Sequence, residues 1–206
     1  MNFTIHGAIG VFVVVVVYAV SAFFYNHKRR AYAIGKTTRI ESPSGFRWIY
    51  RFVQISSLFA SLASFLTQSQ AALKIYDSIL LEYCGLMISL GALGFFVWAK
   101  LALGAEYSPC FDSFLPTKII TRGPYAYVRH PIYSSNILLL FGLFIATSSL
   151  WLLVNLFVVV AYYTIAARAE DRALRESLPD YTSYAANTGR FLPQFFKRKP
   201  LGTFHD

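Results

Sequence analysis

Long apolar runs alternate along this chain with polar breaks, most of them basic. From His6 to Tyr25, a stretch that includes Val11-Phe12-Val13-Val14-Val15-Val16-Val17, no Asp, Glu, Lys or Arg occurs. At about 1.5 Å per residue, such a run crosses a hydrocarbon core of about 30 Å. A second run covers Phe46 to Leu66, with Arg47 and Arg51 at its start, where both side chains can snorkel to headgroups. A third extends from Ser78 to Leu103 and carries Gly85, Gly91 and Gly94, which are expected to permit close helix packing. The run from Ile132 to Ala167 is long enough to cross twice, with Thr147-Ser148-Ser149 as its expected tip. The pattern predicts an all-α integral membrane protein with five transmembrane helices, the last two forming a C-terminal helical hairpin. It divides the chain into a three-span region over 1–102, a second region over 103–193 that contains the hairpin, and a basic tail over 194–206.

Composition agrees with a membrane protein. Hydrophobic residues make up 56% of the chain and charged ones 14%, with a mean hydropathy of +0.48, which is too apolar for one soluble domain. A net charge of +9 raises the question of nucleic acid, but the charges flank the apolar runs instead of forming a basic face. Seven Lys and Arg fall between Asn26 and Arg51, four between Lys100 and Tyr133 and seven after Ala167, so eighteen of nineteen lie on one predicted side, and Lys74 lies on the other. By the positive-inside rule the N-terminus is outside and the C-terminus cytoplasmic. The basic residues His27-Lys28-Arg29-Arg30 follow the first run instead of preceding it, so that run is read as a retained span and not a cleaved signal. The compact build suits a bacterial or archaeal inner membrane. Lys197-Arg198-Lys199 are expected to anchor the tail to anionic lipid. Cys84 and Cys110 give neither a disulfide framework nor metal-ligand spacing, and no metal site is expected.

The candidate chemistry begins at Arg122-Gly123-Pro124-Tyr125-Ala126-Tyr127-Val128-Arg129-His130-Pro131-Ile132-Tyr133. Gly123-Pro124 marks a turn, and Pro131 suits the first position of a new helix, where its missing N–H costs nothing. The first amides of that helix would point back at Arg129 and His130. Positive partial charge then meets a cation and a titratable ring, an arrangement that asks for an anion. From Tyr133 to Glu170 is about 55 Å of helix, close to two bilayer crossings, so the hairpin brings Glu170 to the level of Arg129, His130 and Tyr133 on the cytoplasmic face. The second polar cluster is Arg168-Ala169-Glu170-Asp171-Arg172, followed after Pro179 by Tyr181 and Tyr184. A basic half, an acidic half and aromatics in both suit a ligand that carries both charge signs and a flat ring. A salt bridge from Arg129 to Glu170 that only pins the hairpin is the structural alternative.

These residues, with Leu103-Gly104-Ala105-Glu106-Tyr107-Ser108 upstream and Leu174 and Leu192-Pro193 downstream, resemble the isoprenylcysteine carboxyl methyltransferase family and its relatives among phospholipid methyltransferases. The resemblance implies a membrane-embedded methyltransferase that uses S-adenosyl-L-methionine without a Rossmann domain. It implies cofactor contacts on Thr117, Lys118, Ile119, Ile120, Tyr125, His130, Pro131, Ile132, Tyr133 and Glu170. Arg129, His130, Tyr133 and Glu170 are the candidate catalytic residues. The expected partners are membrane lipids and a lipophilic or small methyl acceptor, with no nucleic acid and the oligomeric state open. In the prenylcysteine enzymes an arginine is expected four residues before the glutamate, where this chain has Ala166; Arg168 would point elsewhere on the helix. Other readings are a phospholipid N-methyltransferase, a nicotinamide-dependent sterol reductase, which the short chain disfavours, and a non-catalytic membrane scaffold or transporter.

Overall fold

The computed structural model describes residues 5–26, 45–67, 74–108 and 115–194. Most of the basic loop after the first run, Cys110 and the Lys197-Arg198-Lys199 tail lie outside the described residues. What is described is helical throughout, without a strand: α1 (Ile5–Asn26), α2 (Phe46–Thr67), α3 (Ile79–Leu103), α4 (Pro131–Thr147), α5 (Leu150–Ser177) and α6 (Tyr181–Asn187), with 3-10 turns at Gly104–Glu106 and Gly123–Ala126. α1, α2, α3 and α5 are long and apolar enough to cross a membrane. α4 is apolar but has 17 residues, about 25 Å.

Large side chains face outward around these helices. Trp48, Phe52, Phe59, Leu80, Met87 and Phe157 are each at least 60% exposed. A coat of that extent is costly in water and costs nothing against lipid tails. The inward faces meet in a core that includes Val14, Val17, Leu86, Phe96, Leu143 and Leu152.

α3 and α4 approach most closely, and Gly85 and Gly142 are the reason. A Cβ on Gly85 would lie 2.3 Å from the Ala146 nitrogen, and one on Gly142 would lie 2.7 Å from the Gly85 carbonyl oxygen. Ser89 fills the remaining gap and donates to Gly85 O at 3.0 Å and to Leu139 O at 3.2 Å. The expectation for the three glycines is corrected at two positions. A Cβ on Gly91 or Gly94 would meet nothing within 4 Å, because those two point away from every neighbouring helix.

The hairpin tip falls at the expected residues. Ser148 adopts the left-handed conformation (φ 57°) as the C-cap of α4, and its hydroxyl accepts from the Ile75 and Tyr76 amides at 2.8 and 2.7 Å. The tip is thereby joined to the segment leading into α3. At the other end of the bundle lie the start of α2, the end of α3, the start of α4 and the last turns of α5. Asn155 links α5 to α2 between the two ends, donating to Ser56 Oγ and Ser57 Oγ at 3.0 and 2.9 Å.

Candidate active site

Pro131 is the first residue of α4 and His130 its N-cap, but the His130 side chain does not cap the helix. It turns instead to α5. His130 Nε2 lies 2.9 Å from Asp171 Oδ1, and Nδ1 lies 3.5 Å from Glu170 Oε2. A ring with a carboxylate on each side has two acceptors for its two N–H groups, the arrangement that suits an imidazolium. Burial alone would lower the His130 pKa, but hydrogen bonds and charge from Asp171 and Glu170 outweigh it and hold the value above the ordinary histidine one. The anion that the start of α4 calls for is therefore carried by the protein itself, on α5.

Asp171 is the hub. Its Oδ1 also accepts from the Tyr181 hydroxyl at 2.6 Å, and its Oδ2 accepts from Arg190 Nε at 2.9 Å and from Arg129 Nη2 at 3.5 Å. Arg129 donates further to the carbonyls of Ala185 and Thr188. The structural alternative, a salt bridge from Arg129 to Glu170, takes a different form: the carboxylate that Arg129 meets is Asp171. The two carboxylates are neighbours on a helix, about 100° apart, so Asp171 turns toward Arg129 and Arg190 while Glu170 faces the cavity. Backbone bonds finish the turn, with Arg129 N donating to Gly189 O at 2.8 Å and His130 N to Arg190 O at 3.1 Å.

Glu170 Oε1 accepts from the Tyr133 hydroxyl at 2.5 Å. The Tyr133 ring is stacked between His130 (centroids 5.3 Å, 7° between planes) and Tyr163 (4.5 Å, 13°). Tyr163 in turn accepts from Asn136 Nδ2 at 2.9 Å.

These groups face an open pocket enclosing about 1030 Å³ of empty space, its mouth included. Lys118, Ile119, Ile120, Tyr125, Arg129, His130, Ile132, Tyr133 and Glu170 all line it. Two of the expected contact residues do not. Pro131 is packed at the start of α4, where its ring sets the helix direction. Thr117 is turned to Glu106, donating to it from its amide and hydroxyl at 2.8 and 2.6 Å, and it borders a neighbouring groove. Tyr107, Tyr181 and Tyr184 line the pocket as well. Burial raises the Tyr125 and Tyr181 hydroxyls above the usual tyrosine value, with the charges of Glu170 and Asp171, respectively, adding to it, and pushes Tyr184 up to about 12. All three rings stay protonated, so they can stack or donate.

Sequence reasoning passed over Asp171 as a hub, Arg190, Asn136, Tyr163 and Glu106. Asn136 carried a usable signal: an amide inside an uncharged run, three residues after Tyr133 and so on the same helix face. Arg190 had none, because its partner lies across a turn. Among the described residues no group of three or more His, Cys, Asp or Glu side chains is placed to hold a metal ion.

Much of this arrangement falls within a match to known proteins: the family model of the phospholipid methyltransferases matches residues 81–180, from the first turn of α3 to the residue before α6. That match covers 100 of the 206 residues, a little under half of the chain. The matched stretch contains Arg129, His130, Tyr133, Glu170 and Asp171, while α1, α2, Tyr181, Tyr184 and Arg190 lie outside it. Two bacterial relatives are similar over shorter stretches. The cobalt-zinc-cadmium resistance protein CzcN of Cupriavidus metallidurans is 38% identical over 77 residues, 37% of this chain and 36% of its own length. The nickel-cobalt-cadmium resistance protein NccN of Alcaligenes xylosoxydans xylosoxydans is 35% identical over 79 residues, 38% of this chain and 37% of its own. The matched segment thus spans little more than a third of each curated relative.

Proposed function

We propose that the chain is an integral membrane methyltransferase that binds S-adenosyl-L-methionine in the pocket beside His130 and Glu170 and methylates a lipophilic or small acceptor. The observation that carries this reading is the Glu170 carboxylate. It is held by Tyr133 and His130, it faces a pocket lined by tyrosines, and it sits inside the family-matched stretch.

The residues present fit the donor. Glu170 offers an anion to the donor's cationic parts, Lys118 a cation to its carboxylate, and Tyr107, Tyr125 and Tyr184 offer faces for its purine. Arg129 is committed to Asp171 and two carbonyls, which makes it a positioning residue. The donor supplies an activated methyl group. The protein's share is to hold the acceptor in line, to exclude water and to receive a proton where the acceptor must lose one. Tyr133 and Glu170 form the pair suited to that last task. Five spans with the N-terminus outside and this pocket on the cytoplasmic face of a bacterial inner membrane complete the proposal; the charge distribution along the sequence supports the orientation.

Calorimetric titration of purified protein with S-adenosyl-L-methionine, beside a His130→Ala, Glu170→Ala double variant, tests it. Micromolar binding that the variant loses is expected. A folded wild type that neither binds nor gains thermal stability would overturn the reading.

A further inference from the structure

A second cavity lies deeper in the bundle, between α1, α2, α4 and α5, with about 630 Å³ of empty space including its mouth. Volumes of that order are ordinary for small-molecule sites. Tyr50, Asn136 and Tyr163 line both this chamber and the pocket beside Glu170, so only a partition of those three side chains separates them. Ile49, Gln54 and Val158 line the chamber and are themselves exposed, which places its mouth on the outer surface of the bundle, between spanning helices. A ligand dissolved among lipid tails can enter there.

The chamber differs from the donor pocket in charge. Among the described residues that line it none is Asp, Glu, Lys, Arg or His; the walls are aliphatic, as at Val17, Leu140 and Val159, with uncharged hydrogen-bonding groups. Tyr18, Ser21 and Ser57 are among those groups, and at the partition Gln54 donates to the Tyr50 hydroxyl at 2.8 Å and Asn136 to the Tyr163 hydroxyl at 2.9 Å. Rings gather there too: Tyr162 packs on Phe46 at 4.4 Å, and Tyr163 stacks on Tyr133 at 4.5 Å. A carboxylate or ammonium brought into this chamber would lack a counter-charge, at a cost of several kcal/mol. Ala166 is buried among these tyrosines, and Arg168 points to the exterior.

We infer that this chamber is the acceptor site and that it takes an uncharged lipophile ending in a phenolic hydroxyl: an aliphatic tail between α1, α2, α4 and α5, and a flat head at the Tyr50–Asn136–Tyr163 partition. The inference rests on the methyltransferase reading above and assigns its acceptor. A phenol matches the machinery, because its proton is far easier to remove than that of an aliphatic alcohol, and Tyr133 and Glu170 stand on the donor side of the partition. In the reaction the partition side chains turn aside to let the phenolic oxygen reach the methyl group, and the acceptor's O–CH3 bond forms as the sulfonium donor's S–CH3 bond breaks. The phenolic proton passes through Tyr133 to Glu170 and then to solvent, leaving a neutral ether and a neutral thioether.

Tritiated 4-nonylphenol, decanoate and decyltrimethylammonium would be titrated against donor-free protein in lipid nanodiscs, with donor binding measured separately on the same sample. Binding of nonylphenol at least tenfold tighter than either ion is expected. Val158→Trp, at the exposed mouth, should weaken nonylphenol at least tenfold and leave donor affinity unchanged. With labelled donor present, the methyl ether should form. Donor binding together with equal or tighter binding of either ion, an indifferent Val158→Trp variant, or nonylphenol bound but never methylated would overturn the phenolic acceptor while the methyltransferase reading stands. Absence of donor binding would overturn both.

Discussion

Asp171 and Arg190 form an ion pair at 2.9 Å that ties the end of α5 to the segment after α6. The same carboxylate is buried against Arg129 and His130. Asp171→Asn keeps the shape of the side chain but leaves those cations without their shared counter-ion. Removing one member of a buried charge cluster costs about 3 kcal/mol or more. Chemical denaturation in detergent should show a loss of that order. Arg190→Gln should cost less, about 1 kcal/mol, since Arg190 is 34% exposed and solvent screens it.

His130 gives the fold a pH dependence of a definite sign. Its folded pKa lies above the unfolded one, despite burial, because Asp171 and Glu170 favour the imidazolium. The stabilisation is therefore complete below about pH 6.5 and is lost as pH rises through the folded value. A wild-type denaturation midpoint that falls on going from neutral to alkaline pH, set against a flatter profile for His130→Gln, is the expected result. Parallel profiles would contradict it.

The α3–α4 contact makes a prediction with its own control. Gly85→Ala and Gly142→Ala each drive a methyl group into backbone of the facing helix, and such overpacking costs about 1–3 kcal/mol. Gly91→Ala meets open space and gains helix propensity, so it should be neutral or stabilising by up to about 1 kcal/mol. Thermal inactivation of the three variants in one detergent would check the ordering.

Asn155 is a buried amide on α5 that donates to two α2 hydroxyls. Hydrogen bonds between spanning helices contribute about 0.6 to 2 kcal/mol. Asn155→Leu should lower stability by that amount and leave the proposed S-adenosyl-L-methionine binding unaltered, because the residue is remote from Glu170. Denaturation and calorimetry on the same sample would separate the two effects.

The helices were legible in the sequence because apolar run length is read directly as span length. The α4 boundary was legible too, because proline at a helix start leaves few alternatives, and Ser148 stands at the tip where three small polar residues interrupt the run. The meeting of His130 with Glu170 followed from counting residues along the hairpin. Counting residues cannot distinguish Glu170 from Asp171, since both reach the same level. Only the rotation of α5, fixed by Tyr162 and Tyr163 packing beneath α4 and α2, decides which carboxylate holds Arg129 and which faces the pocket. The partner of Arg190 was illegible for a different reason. It depends on the path of the chain through α6, where the sequence offers a proline stop and two tyrosines but no direction.

The bonds from Arg129 and His130 amides to Gly189 and Arg190 set an order of assembly. Chains emerge from the ribosome N-terminal end first, so the start of α4 leaves the ribosome before the residues that clasp it have been made. Until then His130 and Arg129 lack their last partners, and the turn before α4 is held at one side only. The finished pocket beside Glu170 is thus among the last features this protein acquires, and a prematurely stopped chain would insert without it.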